Sequence, residues 1–186
     1  MTIPLRRRRF TVDDYYRIGA AGVFGENDRV ELIQGEIIEM FPIGTRHAGC
    51  VNRLNRIFAG RLGERAVVAV QNPVRVSDLT EPQPDLAVLE PRADGYAAAH
   101  PQPQDALLLV EVADMSLAYD RDVKAPLYAV AGITELWIID LEGDRIEMFR
   151  DPASDGYQTH RTAHRGETVV PLALPDFAIA VDEILG

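Results

Sequence analysis

Ala106-Leu-Leu-Leu-Val-Glu-Val-Ala113 is the most hydrophobic stretch of the chain, and it carries a carboxylate, Glu111, close to its end. An apolar run of this length reads as a strand, and the lack of polar alternation reads as burial on both faces of a parallel or mixed sheet. A helical pattern follows from about Tyr119 to Ala131, closed by Gly132, and then a second apolar strand from Glu135 to Asp140. Strand, helix and strand in this order form a crossover unit, so the two strands should be parallel neighbours or near neighbours. Pro126 complicates the helix, because proline disfavours helical backbone at Ala125 and removes a donor; on that ground the helix begins only near Lys124.

Upstream, Thr11 followed by Asp13 and Asp14 reads as the N-cap of a short helix that stops before Gly22. Arg29 to Phe41, broken at Gly35, reads as two strands or one bent strand. A helix is expected from about His47 to Leu62, with Val51, Leu54, Phe58 and Leu62 on its apolar stripe and Arg53, Arg56 and Arg61 on its flanks. Strands are expected at Ala66 to Val70, Val74 to Val76 and Asp85 to Leu89, the last after the turn Glu81-Pro-Gln-Pro84. Downstream, Arg145 to Phe149, Tyr157 to Thr162 and Thr168 to Val170 read as antiparallel strands. The whole is α/β in the middle with β additions at both ends, one domain over 11–186 behind a basic N-terminal extension, 1–10.

The 186 residues are 47% hydrophobic and 26% charged, a composition that supports a core without disulfides or structural metal. A single cysteine, Cys50, fits a reducing cytoplasm. No apolar run is long enough to span a membrane, and the arginines Arg6 to Arg9 are not followed by the apolar segment of a signal peptide. The net charge of -10 argues against binding nucleic acid by a general coat of positive charge. That charge is uneven: residues 1–75 hold 12 Arg against 8 acidic residues, whereas 76–186 hold 7 cations against 21. One basic surface, centred on Arg53, Arg56 and Arg61, could thus meet a polyanion while carboxylates gather elsewhere around a cation.

Burying an unpaired carboxylate costs several kcal/mol, so Glu111 either meets a partner cation or reaches a cleft. Asp85 opens the preceding strand directly after Pro84, and two carboxylates at adjoining strand ends suit Mg²⁺, with Mn²⁺ the alternative. Among 19 cationic residues Lys124 is the only lysine. Where arginine is the default, a lone lysine is a candidate for work that needs a compact ammonium. Asp85, Glu111 and Lys124 together suffice for phosphodiester hydrolysis, and replacing the lysine with alanine should slow the reaction while leaving folding nearly intact. His47 either positions a phosphate or water from a helix start or serves as a cap. Glu31 either faces the same cleft or pairs with an arginine, and Asp120 either holds Lys124 in place or caps its helix.

These residues carry a family resemblance. The order helix, three strands, helix, strand, with Pro84-Asp85 opening the second strand and Glu111 in the third, resembles the PD-(D/E)XK nuclease superfamily, whose restriction-endonuclease-like core is a central mixed sheet flanked by helices. The lysine usual two residues after the glutamate is absent, since Ala113 stands there. The run from Glu111 through Asp120 to Lys124, then Leu127-Tyr-Ala129, Ala131-Gly132 and Glu135-Leu-Trp-Ile-Ile-Asp140, is similar to a large bacterial family of restriction-endonuclease-like proteins that carry this lysine on the following helix. Glu31-Leu-Ile-Gln-Gly35-Glu36 and His47 match as well, and the similarity spans about Thr11 to Asp182. It implies a Mg²⁺-dependent DNA endonuclease acting as a homodimer, with Asp85 and Glu111 as metal ligands and Lys124 as the catalytic lysine. The rival is a non-catalytic nucleic-acid-binding or assembly protein on the same scaffold.

Overall fold

A computed structural model describes residues 7–186, so most of the basic extension, residues 1–6, lies outside the described residues. At its end, Phe10 donates its N–H to the carbonyl of Gly35 at 2.9 Å. Gly35 has φ +79°, and a side chain there would collide with Arg9, so only glycine fits this turn.

Helix α1 (Val12–Ala20) starts with the expected cap: Thr11 and Asp14 form a reciprocal capping box. Strands β1 (Val30–Ile33) and β2 (Glu36–Glu39) form a separate antiparallel hairpin. Helix α2 (Thr45–Leu62) then leads into β3 (Val67–Val70), β4 (Leu86–Leu89) and β5 (Ala106–Ala113). The expected strand at Val74 to Val76 is not formed. The N–H groups of Val74 and Val76 instead reach the carbonyls of Pro82 and Thr80, because the prolines that flank this segment cannot donate to a ladder.

After β5 a continuous helical run covers 117–130, as α3 (Leu117–Tyr119), a π-helical turn (Asp120–Lys124) and α4 (Ala125–Val130). The helix therefore does not wait for Lys124 to begin. Pro126 lacks an N–H and crowds the carbonyl of Asp122, and the turn ahead of it opens so that Ala125 N–H reaches back to the carbonyl of Asp120. Gly132, at φ +86°, ends the helix, and β6 (Glu135–Asp140) follows.

The main sheet has six strands in the order β3-β4-β5-β6-β7-β8, where β7 is Arg145–Ala153 and β8 is Gly156–His164. It is mixed: β5 and β6 are parallel, and the other neighbours are antiparallel. Strand β5 explains the architecture. Leu108, Val110 and Val112 face the cluster built with α2, while Leu109 and Ala113 face the one built with α4, so both sides of this strand are covered. Cys50 and Trp137 are buried in the α2-side cluster, as their apolar surroundings predict. At the C-terminus, β9 (Thr168–Val169) pairs with β10 (Ile179–Ala180) and leads into α5 (Val181–Leu185), which packs on α2. Among the described residues no helix is long and apolar enough to cross a membrane.

Candidate active site

The sheet register brings the two carboxylates together. Leu86 pairs with Val110 in antiparallel β4 and β5, so Asp85, one step before β4, lies opposite Glu111. Val70 pairs with Leu86, which places Gln71 at the next position of the same row. Glu111 takes the parity of Leu109 and Ala113, hence the face covered by α4, and Lys124 and Tyr128 reach it from that side. Asp85 Oδ2 accepts the Val112 N–H at 2.9 Å and contacts His47 Nε2 at 2.9 Å, while Oδ1 accepts from Gln71 Nε2 at 3.1 Å. Glu111 Oε1 accepts from Tyr128 Oη at 2.7 Å and from Lys124 Nζ at 3.2 Å. The same Nζ lies 3.2 Å from Glu31 Oε2, which also accepts the Gln83 N–H. Asp120, on the π-turn, accepts a hydrogen bond from Ser116. All of these carboxylates and Lys124 line one cavity of about 360 Å³ with His47.

The electrostatics are dominated by one buried ammonium among several buried carboxylates. Burial pushes the Glu111 carboxyl well above its usual range; Lys124 opposes this, while Asp120, Asp85 and Glu31 reinforce it. Burial works against the Lys124 charge, but Glu111, Glu31, Asp120 and Asp85 outweigh it and hold the ammonium more tightly than in water. One positive charge faces several buried acids, and this surplus of negative charge favours the protonated form of Glu111. Asp120 is likewise raised, mainly by burial. Asp85 differs: burial would raise it, but His47, the Val112 N–H and Gln71 more than offset this and hold it below its usual value.

The donor set suits a hard divalent cation. Asp85 is kept ionised, Glu111 Oε2 has no hydrogen-bond partner among the described residues, and the surplus of buried acid is relieved by added positive charge. No three His, Cys, Asp or Glu side chains among the described residues converge as a ready-made cage. A cation here would rest on Asp85 and Glu111, with waters or phosphate oxygens completing its shell.

Each expected site residue except the three arginines lines this cavity. Arg53 instead donates to the carbonyls of Ile184 and Leu185 at 2.9 and 2.6 Å, and Arg61 donates to the Ala178 carbonyl and covers the Phe177 ring. Both clamp the C-terminal segment, because β10 and α5 cover the flank of α2 that its sequence pattern leaves free. Arg56 is exposed. Sequence reasoning missed Tyr128, Gln71 and Gln83. Tyr128 was within reach, since four residues after Lys124 is the same helix face. Gln71, at φ +52°, and Gln83 sit in irregular backbone that no periodicity marks.

A comparison with curated proteins gave no match. The crystal structure of "a putative nuclease belonging to DUF820" from Anabaena variabilis superposes with a TM-score of 0.76, covering 95% of this chain and 97% of that one at 16% identity, which establishes the fold. The model of the Uma2 family, described as "Putative restriction endonuclease", matches residues 12–182. That match spans the hairpin, the six-stranded sheet and every carboxylate of the cavity, and the chain belongs to the Uma2 family of restriction-endonuclease-like proteins.

Proposed function

We propose that the protein is a Mg²⁺-dependent endonuclease that hydrolyses DNA phosphodiester bonds, with Mn²⁺ as an alternative cation. The observation that carries this reading is the opposition of Asp85 and Glu111 on one sheet row with the only lysine of the chain bonded to Glu111. Asp85 and Glu111 would hold the cation, which when bound would supply polarisation of the scissile phosphate and a lowered pKa for an attacking water. Lys124 has two acceptors, so its ammonium can turn from Glu111 toward a phosphoryl oxygen or a water while Glu31 retains it. His47 and Gln71 fix the orientation of Asp85, and Tyr128 fixes Glu111. Two symmetric subunits would supply the two cuts a duplex requires, and the lone buried cysteine suits a cytoplasmic setting.

The deciding experiment is cleavage of plasmid, single-stranded and branched DNA with Mg²⁺, with Mn²⁺ and with chelator. Cleavage that needs the cation and disappears in Asp85→Asn is the expected result. The rival, a non-catalytic binding or assembly protein, draws support from the net charge of -10 and from the internal use of Arg53 and Arg61. DNA binding without cleavage under any of these conditions would establish it instead.

A further inference from the structure

The acidic floor accounts for only part of the cavity. Its mouth is apolar: Phe41, Ile43 and Met115 line it and are 57%, 43% and 75% exposed. The described residues include seven exposed large hydrophobic side chains, and three of them meet at this one opening. Scattered apolar residues on a surface need no explanation, whereas a cluster at the rim of a cavity does. The three sit on two loops, 40–44 between β2 and α2 and 114–116 between β5 and α3. Both loops are tied down. Met40 N–H donates to the Arg29 carbonyl at 2.8 Å, and the Arg29 guanidinium donates to the Phe41 carbonyl at 3.4 Å. Arg46 pairs with Asp114 at 3.7 Å, linking the first turn of α2 to the second loop. The apolar groups are therefore presented to solvent on an anchored frame.

The chemistry of the rim selects what it can receive. The charged lining of the cavity is six carboxylates against Arg29 and Lys124, so a polyanion gains little attraction from it apart from bound cations. An aromatic ring beside aliphatic groups attracts the flat face of a nucleobase, whatever the base. In continuous duplex those faces are stacked on one another and only base edges are open in the grooves, so Phe41 can cover a face only where a nucleotide has left the stack. A cavity of about 360 Å³ is on the scale of a site for one small ligand.

We infer that the rim formed by Phe41, Ile43 and Met115 receives an unpaired nucleobase, which makes single-stranded or locally unpaired DNA the preferred substrate class. This rests on the nuclease reading of the cavity, and the test separates the two. A labelled oligonucleotide, single-stranded or annealed into a blunt duplex, is titrated with the full chain in Ca²⁺ for binding, and its cleavage is followed in Mg²⁺ or Mn²⁺. The single strand should bind about 10-fold or more tighter than the duplex. Phe41→Ala should remove most of that preference, Phe41→Trp should keep it, and Met115→Ser should reduce it, all with unchanged thermal midpoints because the side chains are exposed. Preference without cleavage sinks the nuclease reading and leaves the rim assignment standing; cleavage without preference does the reverse. Failure to bind either oligonucleotide, equal weakening of both by Phe41→Ala, or conversion of a dimer to a monomer by that change would overturn the rim assignment.

Discussion

Lys124 is 4% exposed and bonded to two buried carboxylates, which makes it part of the structure as well as of the proposed chemistry. The expectation that Lys124→Ala leaves folding nearly intact is therefore revised. Removing one partner of a buried pair costs about 3–5 kcal/mol, and proton uptake by the carboxyls left behind recovers part of it, so a net loss of about 2 kcal/mol is expected in denaturant unfolding. The pH dependence follows from Glu111. A carboxyl whose folded pKa is raised is most compatible with the fold when protonated, so its contribution is present at low pH and lost as pH rises through the raised value. Without the ammonium that loss deepens, and the stability gap between wild type and Lys124→Ala should widen as pH rises above the ordinary carboxylate range. The cleavage rate should fall by a factor on the order of 100 or more, and Lys124→Arg should restore little of it, because a planar fork does not fit where a compact ammonium sits between two carboxylates. His47 gives a second prediction of opposite sign. It is among the groups that hold Asp85 below its usual value, so His47→Ala should let that carboxyl rise and should move the acid limb of the pH–rate profile to higher pH. An unmoved limb would show that Asp85 ionisation does not govern activity.

The π-turn is the element that aims the lysine. An α-helix advances about 100° per residue, which would leave Tyr119 and Lys124, five residues apart, on different faces; the extra residue in Asp120–Lys124 brings both to the same cavity. Arg121, within the turn, pairs with Glu147 of β7, and Tyr128 is buried one turn beyond, so both ends are anchored. Deleting the exposed Asp122 should convert the turn to α register. The expected outcome is loss of activity comparable to that of Lys124→Ala with retention of most of the helical circular dichroism; full activity would show that the π-turn is not what positions the ammonium. This is also where legibility in the sequence ends. Strands β5 and β6 appear in the sequence as they stand in the fold, because eight and six consecutive core residues have few other uses. The same composition made Glu111 and Lys124 visible as exceptions. Pro126 announced a disturbance but not its form, since a π-turn depends on how the helix lies against the sheet. Strand β10 and helix α5 escaped notice because they are short, and their burial comes from contacts with α2 rather than from any period of their own. Val74 to Val76 has strand composition, yet its neighbours Pro73, Pro82 and Pro84 leave a ladder short of donors.

On the scale of the whole molecule, two of the three arginines expected to form a basic surface on α2 also hold the C-terminal segment. Arg53 and Arg61 donate to carbonyls of 178–185; Arg53 is half-buried, whereas Arg61 and Arg56 are exposed. The consequence for DNA binding is quantitative. Each phosphate neutralised by a fixed cation contributes about -0.9 to the slope of log affinity against log salt. With about three such contacts, supplied by Arg29, Arg56 and Arg61, raising salt from 50 to 200 mM should weaken binding on the order of 40-fold or less, far below the loss seen for proteins that coat the phosphate backbone. Arg56→Glu should weaken binding measurably. Arg53→Ala should instead lower the unfolding midpoint, because it removes the guanidinium bonds to the carbonyls of Ile184 and Leu185, leaving Ile184 only the weak Cys50 thiol donor, and loosens α5 from α2, at a cost of about 1–3 kcal/mol. The two variants thus separate by readout, affinity for one and stability for the other. A steep salt dependence that survives Arg56→Glu would place the DNA on another surface and would remove the acidic, apolar-rimmed cavity from the centre of recognition.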